Sequence, residues 1–221
     1  MSKSVYSGGL GEIEEKKSRF IAHIEPATSE EEAVEFINKM KKQYFDARHN
    51  CYAFVIGDNS ELTRCSDDGE PSGTAGRPML EVLTGEGVTN VVAVVTRYFG
   101  GTLLGTGGLV RAYQGAMKEA LNNTVIIEKH PGVILLVKCD YTDVGKLQYH
   151  FANKGIRVIN SEYGADVTFK IVIETELLEA TKKDLTEITS GKAITTESDK
   201  CMFADANGEV LIYSLITEKT K

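Results

Sequence analysis

The first third of the chain carries the hydrophobic patterns of a strand, a helix and a hairpin. Residues 20–24 have the pattern of a β-strand. Ser29 precedes a segment whose apolar residues recur at helical spacing, so we expect a helix capped by Ser29. The apolar runs 51–56 and 62–65 flank the turn residues Asp58-Asn59, which predicts a β-hairpin.

The pattern changes twice more before the chain reaches its midpoint. A short helix is predicted over residues 77–83, with Pro78 in its first turn. Residues 91–95 form a continuous apolar, β-branched run typical of a strand covered on both faces, and residues 109–121 have helical spacing. His130-Pro131-Gly132 then interrupts the pattern, so we expect a turn there and two domains, 1–131 and 132–221.

The second half has the element order βαββαβ, which predicts a ferredoxin-like domain and an α+β protein overall. The predicted strands are 133–139, 156–163, 166–174 and 193–202, and the predicted helices are 142–153 and 177–189. Four aromatic residues in this half are either stacking platforms for bases or core residues, and in a small sheet covered by two helices we favour the core: Tyr141, Tyr149, Tyr163 and Phe169.

The most distinctive stretch is RYFGGTLLGTGGLVR, residues 97–111, which we call the glycine segment. Its five glycines permit positive φ and close backbone approach, and the predicted helix points unpaired N–H groups back at it, which suits a phosphate or carboxylate. The same glycines also suit close packing of a strand, a turn and a helix, and spacing alone favours that role. Neither GxGxxG directly after the strand nor GxxxxGK[ST] is present.

A second distinctive stretch is CSDDGEPSGTAGRP, residues 65–78, which we call the acidic loop. Asp67, Asp68 and Glu70 together suit a Mg²⁺ site or a water-positioning general base. Asp, Gly, Pro and Ser are also the ordinary residues of turns, and no histidine or further carboxylate follows at ligand spacing. We therefore favour a structural or binding loop over a metal site, and predict neither a metal nor a catalytic residue.

Composition narrows the possible classes of protein. The 221 residues are 42% hydrophobic and 26% charged, which is ordinary for a globular protein. Four cysteines without a CxxC pair predict neither a zinc site nor a disulfide framework. The N-terminus lacks an apolar signal core, and no apolar run of about 18 residues exists to span a bilayer. We expect a soluble, cytoplasmic protein with reduced thiols.

Charge gives a mixed indication about nucleic acid. The net charge of -7 opposes a general nucleic-acid-binding surface. Arginine nevertheless suits bidentate capture of phosphate. If the central arginines converge, the acidic protein still has one basic face, and if they scatter, each is a surface ion-pair partner: Arg48, Arg64, Arg77, Arg97 and Arg111.

Three motifs give the chain a resemblance to the YigZ/IMPACT family: RHNCYAFVIG, SDDGEPSGTAGRPMLEVL and VVAVVTRYFGGTLLGTGGLVRAYQGA, within residues 48–116. The resemblance implies an N-terminal domain similar in fold to a ribosomal small-subunit protein domain and to domain IV of elongation factor G. The C-terminal half resembles the ferredoxin-like domain of bacterial members. Eukaryotic relatives regulate translation by competing for the coactivator of the amino-acid-starvation kinase, and this chain resembles the bacterial branch instead, so kinase restraint is not carried over.

The resemblance implies a translation-linked, non-enzymatic binding role. The implied partner is RNA, the ribosome or a translation-associated protein, with no membrane and no cofactor. Arg97 and Arg111 would contact phosphate, and Tyr98 or Phe99 would stack on a base. The implied site residues are Arg97, Tyr98, Phe99, Gly100, Gly101, Gly107, Gly108 and Arg111, with Asp67, Asp68, Gly69, Glu70, Gly73 and Arg77 in the second loop.

Two alternatives remain open at this stage. One is an enzyme that holds Mg²⁺ in the acidic loop and a phosphorylated or carboxylated metabolite in the glycine segment. The other is a pure protein-interaction adaptor, which would share the fold and bind a polypeptide in a salt-tolerant way.

Overall fold

The computed structural model describes residues 2–206 and 208–214, which form two compact units divided between Glu128 and Lys129. The predicted division after residue 131 rested on a turn at His130-Pro131-Gly132. The prediction of a turn is wrong, because all three residues lie inside a strand, Val125–Cys139. His130 and Pro131 pair there with Phe203 and Met202, so pairing between strands overrides the local turn signal.

The first unit is built on an antiparallel five-stranded sheet. Its strands are β1 (Ser2–Ser7), β2 (Gly9–Glu15), β3 (Ser18–Pro26), β4 (His49–Ile56), β5 (Leu62–Ser66), β6 (Val88–Thr89) and β7 (Val91–Tyr98), and its helices are α1 (Glu30–Gln43), α2 (Gly76–Gly85) and α3 (Gly105–Asn122). The sheet has the order β2-β3-β7-β4-β5, and β1 pairs with β6 in parallel. The predicted strand, hairpin and helices of this half are present.

Helices cover both faces of this sheet. On one face α2 and α3 pack on a core that includes Phe20, Met79 and Tyr113. On the other face α1 packs through residues such as Ile37 on Phe54 and its neighbours. Every residue from 91 to 97 is buried, so β7 is the central strand with both faces covered, as its apolar run predicts.

Helix α1 has favourable groups at both of its ends. The Ser29 side chain accepts a hydrogen bond from the N–H of Glu32, which confirms the predicted cap. Three glutamates occupy the first turn and two lysines the last turn, so the charges interact favourably with the helix dipole at both ends.

The second unit has the ferredoxin-like arrangement that the sequence predicts. Its elements are β8 (Val125–Cys139), α4 (Val144–Lys154), β9 (Arg157–Tyr163), β10 (Val167–Glu174), α5 (Leu178–Ile188), β11 (Ile194–Ala206) and β12 (Glu209–Ser214). The antiparallel order is β9-β10-β8-β11-β12, in which β12 is an added edge strand. A single 3₁₀ turn precedes each helix. Within the described residues, no helix is both long and apolar enough to cross a bilayer.

The aromatic residues of the second unit divide between core and surface. Phe169 is completely buried beside Phe151, as predicted. The core assignment is wrong for the other three, because Tyr141, Tyr149 and Tyr163 are all more than half exposed. The Tyr141 hydroxyl donates a hydrogen bond to the carbonyl oxygen of Gly164, which satisfies its polar end at the surface.

Candidate functional site

The glycine segment connects the end of the central strand β7 to helix α3. The helix begins at Gly105, four residues before the predicted start, so Gly107 and Gly108 are helical and do not belong to the turn. The loop before the helix exposes two large apolar side chains. Phe99 is 55% exposed and Leu103 is 83% exposed. This segment is therefore a surface feature above the core of the first unit.

Different structural features account for the individual glycines of this segment. A Cβ at Gly100 would lie 2.0 Å from the carbonyl carbon of Lys17, so its bare backbone faces the protein's own chain and not a ligand. Gly101 and Gly105 have φ of +85° and +71°, which favours glycine. At Gly107 a Cβ would have room, with the Arg111 Nη1 atom 3.6 Å away. At Gly108 a Cβ would lie 3.1 Å from the Cβ of Leu104.

Arg97 lies under this surface in a buried ion pair. Its Nη1 donates to both carboxylate oxygens of Glu70, at 2.7 and 3.0 Å, and the guanidinium also contacts the rings of Phe20 and Phe99. The two charged side chains are only 7% and 3% exposed. The prediction that Arg97 contacts phosphate must be revised, because its charge is already neutralised by Glu70 and shielded from solvent.

Polar side chains extend this ion pair into a buried network. The Tyr113 hydroxyl donates to Glu70 at 2.9 Å, and the Cys51 thiol lies 3.3 Å from the Tyr113 oxygen and 3.0 Å from the carbonyl oxygen of Asp67. Burial raises the pKa of the Cys51 thiol to about 12. Burial also raises the pKa of Tyr113, so both groups stay protonated. The network ties the acidic loop to the strand beneath the glycine segment.

Asp67 is a helix-capping residue. Its carboxylate accepts hydrogen bonds from the backbone N–H groups of Gly73, Ala75 and Gly76 at 2.8–3.0 Å, and so caps the start of α2. Partial burial raises the pKa of this carboxyl, but the three N–H groups outweigh that effect and hold the pKa below its usual value. Gly73 supports the turn with a φ of +75°.

The remaining groups of the acidic loop are also engaged within the protein. Asp68 has a positive φ of 43° and binds the Lys41 ammonium at 2.8 Å and the backbone N–H of Asn50 at 2.7 Å. Gly69 follows it with a φ of +89°, and Arg77 forms an exposed ion pair with Glu81. The three carboxylates of the loop thus face separate partners, and the described residues contain no cluster suited to a metal ion.

The two aromatic residues at the end of β7 point to opposite faces of the sheet. Tyr98 lies on the α1 side, where its hydroxyl donates to Asp46 at 2.7 Å and Arg19 lies over its ring. Phe99 lies on the exposed surface of the glycine segment, over the Arg97 guanidinium. Of the two predicted stacking residues, Phe99 is therefore the one that shares a surface with the glycine segment.

The N-terminus of α3 combines several features that favour an anion. Its N-cap, Leu104, offers no side-chain hydrogen bond, and the first turn contains no acidic residue. Arg111 is exposed, and its guanidinium lies beside Gly107 in that first turn. Across the described residues Arg111 has neither a hydrogen bond nor an ion pair. No acidic residue occurs anywhere between Glu86 and Glu119.

The five central arginines do not behave as one group. Arg97 is buried, and Arg64 and Arg77 pair with Glu30 and Glu81. Within the part of the chain that the structure describes, Arg48 and Arg111 are exposed without an ion pair. Of the predicted charge-bearing contacts, only Arg111 presents an open guanidinium on the glycine segment.

Sequence comparisons extend over both units. The Impact N-terminal domain family matches residues 16–121, and the domain of unknown function DUF1949 matches residues 137–192. The chain is 42% identical to IMPACT family member YvyE of Bacillus subtilis (strain 168), across 89% of this chain and 90% of that relative. It is 41% identical to IMPACT family member YigZ of Escherichia coli (strain K12), across 72% and 78%. The crystal structure of a hypothetical protein aligns at 32% identity over 99% of this chain and 100% of that chain, with a TM-score of 0.57.

Proposed function

The chain belongs to the IMPACT family, and on that premise we propose that it is a cytoplasmic, translation-linked regulatory protein that binds RNA, free or in the ribosome, through the glycine segment. The family resemblance supports a regulatory binding role in translation. The contacts of the acidic loop support binding over metal-dependent catalysis, because Asp67, Asp68 and Glu70 each stabilise the fold.

The observation that carries the RNA proposal is the open, basic N-terminus of α3 in a protein of net charge -7. Arg111 contributes a full positive charge, and the first-turn N–H groups contribute the positive end of the helix dipole. The exposed ring of Phe99 lies on the same segment and offers a face for base stacking. Charge and stacking together are the features by which proteins bind single-stranded RNA.

A comparison of α3 with α1 strengthens this proposal. Helix α1 has a capping serine and three glutamates in its first turn, whereas α3 has neither, and the guanidinium of Arg111, from its second turn, lies beside Gly107 in the first. Lack of a cap lowers the stability of a helix by about 1 kcal/mol, and a cation near the N-terminus lowers it by about 0.3–1 kcal/mol. Gly107 has room for a side chain, so packing does not require its bare backbone. These features lower the stability of the free helix, and a bound phosphate would offset them.

The test is a titration of a fluorescein-labelled oligouridine with the full chain at several salt concentrations. We expect the affinity to fall as salt rises, and Arg111→Gln to weaken binding and reduce the slope of log K against log salt by about 0.7. Arg64→Gln is the matched control, since it removes an exposed arginine from β5, away from the glycine segment. Absence of binding at every salt concentration would refute the proposal.

A protein partner is the second candidate function, and one observation favours it. Leu103 is 83% exposed in the same loop as Phe99, so the segment presents apolar surface that an RNA backbone does not use. In that case Leu103→Ser would abolish binding and Arg111→Gln would change it little. The affinity would also tolerate salt, because burial of apolar surface is not screened by ions.

A further inference from the structure

The turn between β2 and β3 has an unusual choice of residues. The hairpin pairs Glu15 with Ser18, which leaves Lys16 and Lys17 as a two-residue loop. Both lysines have positive φ, 47° and 65°. Two-residue turns with this geometry strongly favour Asn-Gly, because side chains with a bulky Cβ substituent are strained there. A pair of lysines thus occupies a turn whose backbone geometry disfavours it.

This turn is packed against the glycine segment. The carbonyl group of Lys17 and the backbone nitrogen of Ser18 lie 2.0–2.3 Å from the position that a Cβ at Gly100 would occupy. The N–H of Gly100 also donates a hydrogen bond to the Ser18 side chain at 3.1 Å. Only a glycine at position 100 permits this approach. The contact holds the turn that carries the two lysines against Gly100, which directly follows Phe99 in the glycine segment.

The two ammonium groups are available to a partner. Both lysines are exposed, and in the described residues neither forms an ion pair or a hydrogen bond through its side chain. Glu15 directly precedes the turn and is the acidic residue closest to it in the hairpin. The turn thus adds two open cations beside a segment whose own open charge is Arg111.

We infer that Lys16 and Lys17 are phosphate-binding residues that extend the RNA-binding surface of the glycine segment across the β2–β3 turn. This inference rests on the proposed function. The turn places two exposed lysines beside Gly100 at one edge of the glycine segment, and the polyanionic backbone of RNA is the partner that would contact both lysines and Arg111 together. A negatively charged protein segment is the competing partner. If it were the true partner, the wild-type protein would not bind RNA in the experiment.

The experiment compares three double variants and one single variant in the oligouridine titration. Lys16→Gln/Lys17→Gln removes the charges and is expected to weaken binding on the order of tenfold at low salt, with the salt slope reduced by about 0.7 for each lysine. Lys39→Gln/Lys42→Gln makes the same change in net charge on α1, which covers the opposite face of the sheet, and should bind nearly as tightly as wild type. Glu15→Gln should bind more tightly than wild type, because it removes a negative charge that repels phosphate.

The third double variant, Lys16→Asn/Lys17→Gly, separates binding from folding. It introduces the residues that this turn favours, so we expect its midpoint of urea unfolding to rise while its RNA affinity falls. The inference would be overturned if both variants of the turn kept the affinity and salt slope of wild type. If wild type then bound RNA normally and Arg111→Gln lost affinity, the proposed function would stay intact. No binding of RNA by wild type would overturn both.

Discussion

The guanidinium of Arg97 donates to both carboxylate oxygens of Glu70 inside the first unit, at 2.7 and 3.0 Å. This pair joins the central strand of the sheet to the acidic loop, and the Tyr113 hydroxyl joins both to α3. The two loops that carry the distinctive motifs are thus fixed to one another by a buried charge pair. The surface that we assign to RNA lies above it.

Arg97→Ala is expected to destabilise the protein strongly. It would leave the Glu70 carboxylate buried without its partner, which costs about 3–5 kcal/mol. Urea denaturation measures this loss, with Arg64→Ala as the exposed control that should lose about 1 kcal/mol or less. In the double variant Arg97→Met/Glu70→Leu we expect most of the stability to return, because no unpaired charge remains. A stable Arg97→Ala protein would contradict the structural role of the pair.

Asp67→Ala is expected to lower the free energy of unfolding by about 2 kcal/mol at neutral pH, because the start of α2 loses its cap. The pKa of this carboxyl is lowered in the folded protein. Its contribution is therefore complete above the unfolded pKa, about 3.9, and is lost as pH falls through the lower folded value.

Urea denaturation of wild type and Asp67→Ala from about pH 7 to about pH 3 measures this dependence. The difference in unfolding free energy should narrow toward the acidic end. Asp67→Asn is the informative control, because an asparagine still caps a helix but does not titrate. A difference that stays constant with pH would contradict the assigned role of the carboxylate.

The four cysteines are expected to differ in reactivity. Cys65 is exposed on β5, whereas Cys51, Cys139 and Cys201 are buried. Burial raises the pKa of each of the four thiols, to about 12 for Cys51. Because the exposed thiol is the accessible one, brief treatment with iodoacetamide followed by mass spectrometry should modify Cys65 first. Rapid modification of Cys51 in the folded protein would show that the buried network opens.

Much of the fold follows from hydrophobic periodicity. The central strand, the hairpin β4–β5 and the order βαββαβ each have a strong pattern, and all are present. The sequence does not predict β1, because its serines and lysine leave only Val5 and Tyr6 as large apolar residues, nor β2, because glycines and glutamates interrupt its apolar positions. The predicted start of α3 at residue 109 is wrong because Gly105, Gly107 and Gly108 have poor helix propensity, which packing of the helix overrides.

The candidate site was less predictable, because its chemistry depends on tertiary contacts. The resemblance implies that Arg97 contacts phosphate, although this residue lies in phase with the buried residues Val91, Ala93 and Val95 on the same strand. That two-residue period was the available signal that the side chain enters the core. Its partner Glu70 lies in a turn sequence that carries no period. The ion pair between Arg97 and Glu70 therefore could not be predicted from the sequence and is known only from the structure.

The measurement that tests the central claim most directly is co-sedimentation of the full chain with ribosomes of its own cell at low and physiological salt. Wild type, Arg111→Gln and the control Arg64→Gln would be compared side by side. We expect wild type and Arg64→Gln to sediment with ribosomes at low salt and less at physiological salt, and Arg111→Gln to remain largely in the supernatant. Equal sedimentation of Arg111→Gln and wild type, or a wild type that neither sediments with ribosomes nor binds oligouridine, would contradict the account.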